Sequence, residues 1–177
     1  ISEYLLPLES KISEVFLPAL LGRPVSSYER DILELPVRYG GMGITNPART
    51  SQREYVCSRE ITKPAVELIL SQDQDARKLL SVNLVDKKAC LRKEKEEYLK
   101  ARYDILFNKA DQRLKNHLEQ AKERGASSWL TALPLKVLNY VLNKQEFQDG
   151  IQLRYGWSIK GMPAYCSCGK KNSIYHA

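Results

Sequence analysis

The stretch from residue 87 to residue 103 most strongly limits the folds that this chain can adopt. Lysine and glutamate alternate there at spacings of three and four residues, which places opposite charges side by side on a helix. The apolar side chains form only a thin stripe: Leu91, Tyr98 and Leu99. The pattern continues a helical region from residue 76 to about residue 123. It predicts a mainly α fold with a long charged helical arm or hairpin over residues 73–124.

The first third of the chain has the patterns of a helical bundle. Apolar residues recur at helical spacing between residues 2 and 20, which predicts an amphipathic helix. They are Leu5, Leu8, Ile12, Val15, Phe16 and Leu20. Ser26 followed by Glu29 is typical of a helix N-terminus and predicts a short second helix through Leu35. Further helices are predicted over residues 47–70 and 143–155, the second with one apolar face: Phe147, Ile151 and Tyr155.

A glycine-rich loop is predicted over residues 36–47, where Pro36 ends the second helix. Gly40, Gly41 and Gly43 fill three of four positions, which excludes a regular helix and permits positive φ or close approach of another chain segment. The cluster lacks the Lys-Ser/Thr of a phosphate loop and the spacing of a dinucleotide fingerprint. Two interpretations stay open, a packing turn and a loop whose backbone approaches a phosphate strand.

The end of the chain carries side chains that bind zinc. Cys166 and Cys168 precede Gly169, and His176 follows eight residues after the second cysteine. Thiolate and imidazole are usual zinc ligands, but a tetrahedral site needs a fourth ligand, and the sequence stops before one. We therefore expect a truncated zinc knuckle, and an internal segment of a longer protein. The alternative is a loose tail with three reactive side chains.

The net charge of +7 is concentrated in two segments. Residues 81–125 hold 12 Lys or Arg against 8 Asp or Glu. Residues 151–177 hold no Asp or Glu and four cations: Arg154, Lys160, Lys170 and Lys171. A local field of this kind attracts a polyanion, whereas the alternative for both segments is a solvated surface.

The sequence predicts no catalytic site in this chain. His117 lies in the charged helix, where a solvent-facing position is expected, and no nucleophile and base can be paired around it. No carboxylates form the closely spaced Asp pair on a strand hairpin that two-metal phosphoryl transfer would need. We therefore expect these 177 residues to catalyse nothing on their own.

The apolar runs and the cysteines indicate the cellular compartment in which the chain functions. The longest apolar runs fall far short of the roughly 20 residues that span a bilayer, so no membrane role is expected. Cys57 and Cys90 lie in charged helical sequence, and Cys166 with Cys168 is too close a pair for an easy disulfide. An intracellular, reducing compartment is therefore predicted.

Three short motifs occur in a distinctive order. Residues 35–44 read Leu-Pro-Val-Arg-Tyr-Gly-Gly-Met-Gly-Ile, residues 129–134 read Trp-Leu-Thr-Ala-Leu-Pro, and residues 166–176 hold the Cys-x-Cys pair and His. The first resembles the segment that follows the palm in reverse transcriptases of non-LTR retrotransposons. The second and third resemble the linker and the zinc knuckle of those members that carry a restriction-like endonuclease.

The resemblance implies a thumb-like helical region over residues 1–72 and a linker helix with a truncated knuckle over residues 125–177. DNA or RNA, and the rest of the parent polyprotein, would be the partners, in the nucleus or the cytoplasm. Zinc would be the bound metal, and the parent RNA-directed DNA polymerase would use magnesium. The chain lacks the palm aspartates, the nuclease carboxylates and the fourth knuckle cysteine, so polymerase activity does not transfer to it.

The resemblance also assigns site residues. Nucleic-acid contacts are expected at Arg38, Gly40, Gly41, Gly43, Arg154, Lys160, Lys170 and Lys171, and zinc at Cys166, Cys168 and His176. The rival hypothesis is a helical protein-interaction scaffold with no nucleic-acid role. Salt separates the two hypotheses, because phosphate binding weakens steeply with salt and a packed protein interface does not.

Overall fold

The computed structural model describes residues 1–71 and 76–172, and the side chains of residues 1–70 and 85–172. The described part is mainly helical, as predicted, and it contains no β-strand beyond one antiparallel bridge between Tyr165 and Lys171. Within that part, no helix has the length and hydropathy needed to cross a membrane. The α-helices are α1 (Ser2–Lys11), α2 (Leu17–Leu21), α3 (Ser27–Glu34), α4 (Pro47–Ser71), α5 (Ala76–Lys109), α6 (Gln112–Lys122), α7 (Ser128–Thr131) and α8 (Lys144–Tyr155).

Two helices begin at reciprocal caps that the sequence indicates. The Ser26 hydroxyl accepts from the Glu29 N–H at 3.2 Å, and the Glu29 carboxylate accepts from the Ser26 N–H at 2.8 Å. Asn143 and Glu146 make the same exchange at the start of α8, at 3.0 and 2.7 Å. Each exchange satisfies backbone donors that the first helical turn leaves without a partner. The predicted starts of α3 and α8 are confirmed.

The first helix reaches from Ser2 to Leu21, but one turn, Ile12–Phe16, is π-helical. A π turn takes one residue more than an α turn, so the residues beyond it rotate to a different face. Val15 and Phe16, which lie within the π turn, are half exposed, and so is Leu8 before it. Leu17 and Leu21 are fully buried instead. The predicted stripe is therefore wrong at Leu8, Val15 and Phe16, whereas Ile12 and Leu20 do pack against the core.

The predicted continuous helix from residue 76 to about residue 123 is wrong, because it breaks at Ala110 and Asp111. The Asp111 carboxylate accepts from the Leu114 N–H at 2.7 Å and caps a separate helix, α6. Aspartate is among the preferred N-cap residues, and here its cap competes successfully with continuation of the helix. The chain then turns around the buried Ala110.

The long helix α5 pairs with α4 as a hairpin. Ion pairs join the two helices at Lys87–Glu60 and Lys95–Glu54, both at 2.8 Å. These are exposed pairs, which contribute little each. The predicted arm is therefore one half of a helical pair, joined along its length by weak charged contacts.

One buried cluster draws on all three predicted regions, 1–72, 73–124 and 125–177. Its members come from α2, α3, α6 and α8: Leu17, Leu21, Ile32, Leu33, Leu118, Ile151 and Tyr155. A second, smaller cluster of Leu35, Tyr103 and Leu106 holds the C-terminal end of α5 against the end of α3. The inward face predicted for α8 is confirmed by Ile151 and Tyr155. The three regions are thus joined by a common core.

A buried arginine links three separate segments of this core. Arg30 of α3 is 6% exposed and makes a bidentate pair with Glu9 of α1, at 2.8 and 2.9 Å. The same guanidinium donates to the carbonyls of Ile44 and Thr45, at 2.7 and 3.2 Å. Burial acts to raise the pKa of Glu9, but the hydrogen bonds from Arg30 and Ser13 outweigh it, so the pKa lies below its ordinary value.

Replacing Glu9 by Gln should destabilise the fold by about 3 kcal/mol at neutral pH, because a buried guanidinium loses its counter-charge. A carboxylate whose folded pKa is lowered stabilises the fold above its unfolded pKa, and that contribution is lost as the pH falls. The difference between wild type and Glu9→Gln should therefore shrink from pH 5 towards pH 3 in urea unfolding. Glu3→Gln, an exposed change on the same helix, is the control, and a pH-independent difference would contradict the assignment.

Candidate nucleic-acid interface

The backbone N–H groups of the glycine-rich loop are hydrogen-bonded within the loop and to the end of α3. The N–H groups of Gly40, Gly41 and Gly43 donate to the carbonyls of Val37, Pro36 and Leu35, at 3.0, 3.2 and 2.8 Å. The neighbouring N–H groups of Met42 and Ile44 both donate to the Leu33 carbonyl, each at 3.2 Å. The loop therefore folds back on the end of α3. Its glycine N–H groups are engaged and do not form a ready phosphate cradle.

Packing explains why two of these positions are glycine. A Cβ at Gly41 would overlap the backbone carbonyl of Leu35. Gly40 has a φ of 83°, and a Cβ there would lie 3.1 Å from the Leu118 side chain of α6. Gly43 has a φ of 72°, and a Cβ there would have no neighbouring atom within 4 Å. Glycine is therefore favoured at this position by the backbone conformation and not by packing. The geometry favours the packing turn, and a nucleic-acid role for the loop stays a prediction.

Arg38 projects from this loop towards α5. Its side chain is 54% exposed and forms a bidentate ion pair with Glu96. The Tyr39 hydroxyl donates to the same carboxylate at 2.6 Å. These hydrogen bonds, that from Arg38 first, lower the pKa of Glu96. Arg38 is thus surface-accessible, as a phosphate contact requires, but it also ties the loop to the hairpin.

The four cations predicted after residue 150 differ in their surroundings. Arg154 is half-buried and donates to the Ser127 hydroxyl at 2.8 Å and to the Gly41 carbonyl at 3.4 Å. It therefore holds α8 to the glycine loop. The other three are exposed and free to meet a polyanion: Lys160, Lys170 and Lys171.

Cys166 and Cys168 lie in one tight hairpin turn. The Cys166 N–H donates to the Lys170 carbonyl at 2.9 Å, and the Gly169 N–H returns to the Cys166 carbonyl at 2.8 Å. Gly169 has a φ of 81°, which glycine adopts without strain. Hydrogen bonds, first from the backbone N–H of Cys168 and then from the Ser167 hydroxyl, lower the pKa of Cys166. The turn thus makes the Cys166 thiol more acidic than an ordinary cysteine.

A tetrahedral zinc site needs four ligands. The turn supplies two sulfur ligands, and the glycine after them allows the chain to double back, as a zinc-binding turn requires. No group of three or more His, Cys, Asp or Glu side chains in residues 1–71 and 76–172 is placed to hold a metal ion. His176 lies outside the described residues. The described part therefore supplies two of the four ligands that a tetrahedral zinc site needs.

His117 is buried, so its predicted solvent-facing position is wrong. It is 9% exposed and lies beneath the C-terminal end of α8, where a Cβ on Gly156 would overlap its ring. Burial, and then the charge of Arg113, lower its pKa. The break at Asp111 makes α6 a separate helix with its own inward face. The sequence pattern of one continuous charged helix could not show that face.

A cleft that the sequence analysis did not anticipate lies between α4 and α5, beside the end of α3. Its volume is about 620 Å³. Five cations and three carboxylates line this α4–α5 cleft: Arg38, Arg53, Arg92, Lys95, Arg102, Glu34, Glu54 and Glu96. The spacing of Arg92, Lys95 and Arg102 places all three on one face of a helix, and this clustering can be read from the sequence. Their convergence with Arg53 depends on the α4–α5 pairing.

Comparison with known proteins gives no match. No family model matches the chain, and neither a curated protein nor a solved structure is similar to it. The function must therefore be argued from the residues themselves.

Replacing Arg154 by Ala should lower the free energy of unfolding by about 1–2 kcal/mol, because its two hydrogen bonds connect α8 to the glycine loop. Lys171→Ala removes the same charge from an exposed position and should change stability by less than about 0.5 kcal/mol. Urea unfolding measures both. Equal stabilities of the two variants would show that Arg154 has no structural role.

Proposed function

We propose that this chain is a non-catalytic nucleic-acid-binding segment of a retroelement reverse transcriptase of the non-LTR type. It contacts template–primer or target DNA, with DNA and RNA both compatible with its chemistry. The observation that carries the proposal is the hairpin that presents Lys170 and Lys171, both exposed, on the same turn as Cys166 and Cys168. A basic turn of this kind suits a phosphate backbone, and no Asp or Glu occurs in residues 151–177.

Electrostatics supports this proposal over a solvated surface. Residues 151–177 contain no Asp or Glu, so the field of the exposed lysines is not neutralised by carboxylates within that segment. Each lysine that contacts a phosphate releases condensed counterions, and this release supplies much of the affinity of nucleic-acid binding. Arg154 contributes indirectly, by holding α8 against the rest of the fold.

Zinc would be bound by Cys166, Cys168, His176 and one further ligand. When bound, it supplies a rigid link that holds the hairpin in a single conformation. The thiols of these two cysteines must stay reduced to serve as ligands, which fits a nuclear or cytoplasmic location. The rest of the parent polyprotein would supply the polymerase palm and its magnesium.

The proposal is tested by the binding of a fluorescent primer–template duplex across a salt series. Replacing Lys170 and Lys171 by Gln should weaken binding about tenfold and reduce the salt slope by about 1.8, since each duplex phosphate contact contributes about 0.9. A zinc chelator should weaken wild-type binding as well. The control replaces the exposed Lys11 and Lys136, which carry the same total charge on other surfaces.

The wild-type protein is expected to bind more weakly as salt rises, and the control variant should match it. Absence of duplex binding at low salt by the folded, zinc-supplied protein would overturn the proposal. So would equal losses in both double variants, because net charge alone would then explain the effect.

A different observation favours the alternative, a protein-interaction scaffold. The segment of residues 133–142 leaves seven large apolar side chains exposed: Leu133, Leu135, Val137, Leu138, Tyr140, Val141 and Leu142. Val137 is 96% exposed. Contiguous apolar surface of this kind marks protein contacts more often than it marks free surface.

The scaffold hypothesis predicts association that salt does not weaken. Sedimentation at increasing protein concentration, in low and in high salt, should show self-association that Val137→Asp abolishes. The exposed position of Val137 makes a folding defect in that variant unexpected. A monomer at all concentrations that fails to bind an apolar dye would remove the support for this alternative.

A further inference from the structure

We infer that the α4–α5 cleft binds a single nucleic-acid strand, with a phosphate at Arg53 and Arg92. This inference rests on the proposed nucleic-acid function. It assigns the single strand to a site distinct from the turn that carries Lys170 and Lys171. It follows from the charges in the cleft, from two guanidinium groups that make no hydrogen bond with the described residues, and from an aromatic wall.

The carboxylates of the cleft already have partners within the protein. Glu96 pairs with Arg38, and Glu54 pairs with Lys95 at 2.8 Å. Glu34 pairs with two arginines, Arg49 and Arg102. The negative charge in the cleft is therefore matched by cations other than Arg53 and Arg92, so an added anion meets a net positive surface.

Two guanidinium groups in the cleft still have donors available. Arg92 is exposed and makes no hydrogen bond or ion pair with the described residues. Arg53 contacts Glu54 only at 3.8 Å, and its Nη1 is shielded from solvent without a hydrogen-bond partner in the described part. The Arg53 guanidinium therefore makes no hydrogen bond with the described residues, and a phosphate oxygen is the acceptor that suits a guanidinium best.

Tyr98 gives the cleft an aromatic wall. The Arg53 guanidinium lies 4.4 Å from the centre of its ring, and both residues line the cavity. Aromatic side chains beside a cationic groove are the shared features of single-strand sites, because bases stack on them without regard to sequence. Leu35, Pro36 and Leu99 add apolar surface to the same cavity.

The size of the cleft favours a single strand over a duplex. A volume of about 620 Å³ lies within the range of small-ligand sites and suits one or two nucleotides. A second cavity continues the cleft between α4 and α5, and both cavities are lined by Arg53 and Arg92. That continuation is lined by Cys57, Ile61, Lys88 and Leu91, so a strand leaving the cleft has a further cationic contact at Lys88.

Two cysteines allow a direct test with the intact chain. Cys57 is half-buried in the continuation of the cleft, whereas Cys90 is exposed on α5, contacts Glu94 and lines neither cavity. Oligo(dT) should slow alkylation of Cys57 by at least fivefold and leave Cys90 unchanged, as measured by peptide mass spectrometry. Cys90 thus serves as an internal control in the same molecules.

Point variants test the phosphate contact. Arg92→Gln should weaken oligo(dT) binding about fivefold to tenfold and reduce the salt slope by about 0.7, the value for one single-strand phosphate contact. Lys93→Gln removes the same charge one residue further along α5, outside both cavities, and should change affinity less than twofold. Arg53→Gln should resemble Arg92→Gln and should also shift the tyrosine fluorescence response to oligo(dT).

The outcomes separate this inference from the proposed function. If the duplex binds through the lysine hairpin but oligo(dT) neither protects Cys57 nor responds to Arg92→Gln, the cleft assignment is overturned and the proposed function stands. If neither duplex nor oligo(dT) binds the folded protein, both are overturned. Protection of Cys57 together with a selective loss in Arg92→Gln supports the single-strand site.

Discussion

The buried guanidinium of Arg30 is the interaction on which the rest of the described structure depends. It neutralises Glu9 of α1 and satisfies the carbonyls of Ile44 and Thr45 just before α4. A buried charge is tolerated only with a full set of partners, so these segments can take only one arrangement relative to α3. The start of α4, and with it one wall of the α4–α5 cleft, follows from that constraint.

The glycine turn carries this arrangement to the other end of the core. Because Gly41 lies against the Leu35 backbone, the loop folds close to α3 and leaves Arg38 directed towards α5. Arg154 of α8 donates to the Gly41 carbonyl from the opposite side. The α4–α5 helix pair, the glycine loop and α8 are therefore coupled through one short turn, which holds Arg38 and Arg154 in place.

Local signals in the sequence were sufficient for much of the fold. The caps at Ser26 and Asn143 act over three residues, and the inward face of α8 follows from a regular period, so both were predictable. The π turn at Ile12–Phe16 and the helix break at Asp111 were not, because each interrupts a stretch whose sequence pattern is also compatible with a continuous α-helix.

The candidate site was predictable only in part. The tight turn at Cys166 and Cys168 follows from the glycine after them, and the lysines predicted to contact nucleic acid are exposed: Lys160, Lys170 and Lys171. The α4–α5 cleft was missed because it joins residues from 34 to 102 that meet only after the hairpin forms. Arg154 was assigned to phosphate by its charge, whereas its half-buried position gives it partners inside the fold.

Photocrosslinking offers the most direct test of nucleic-acid binding by this chain. A primer–template with a single-stranded overhang would carry 4-thiothymidine in both the duplex and the overhang, and the attached peptides would be mapped by mass spectrometry. We predict duplex crosslinks in the hairpin around Lys170 and overhang crosslinks near Tyr98. Crosslinks confined to the exposed apolar segment of residues 133–142, or none at low salt, would contradict the account.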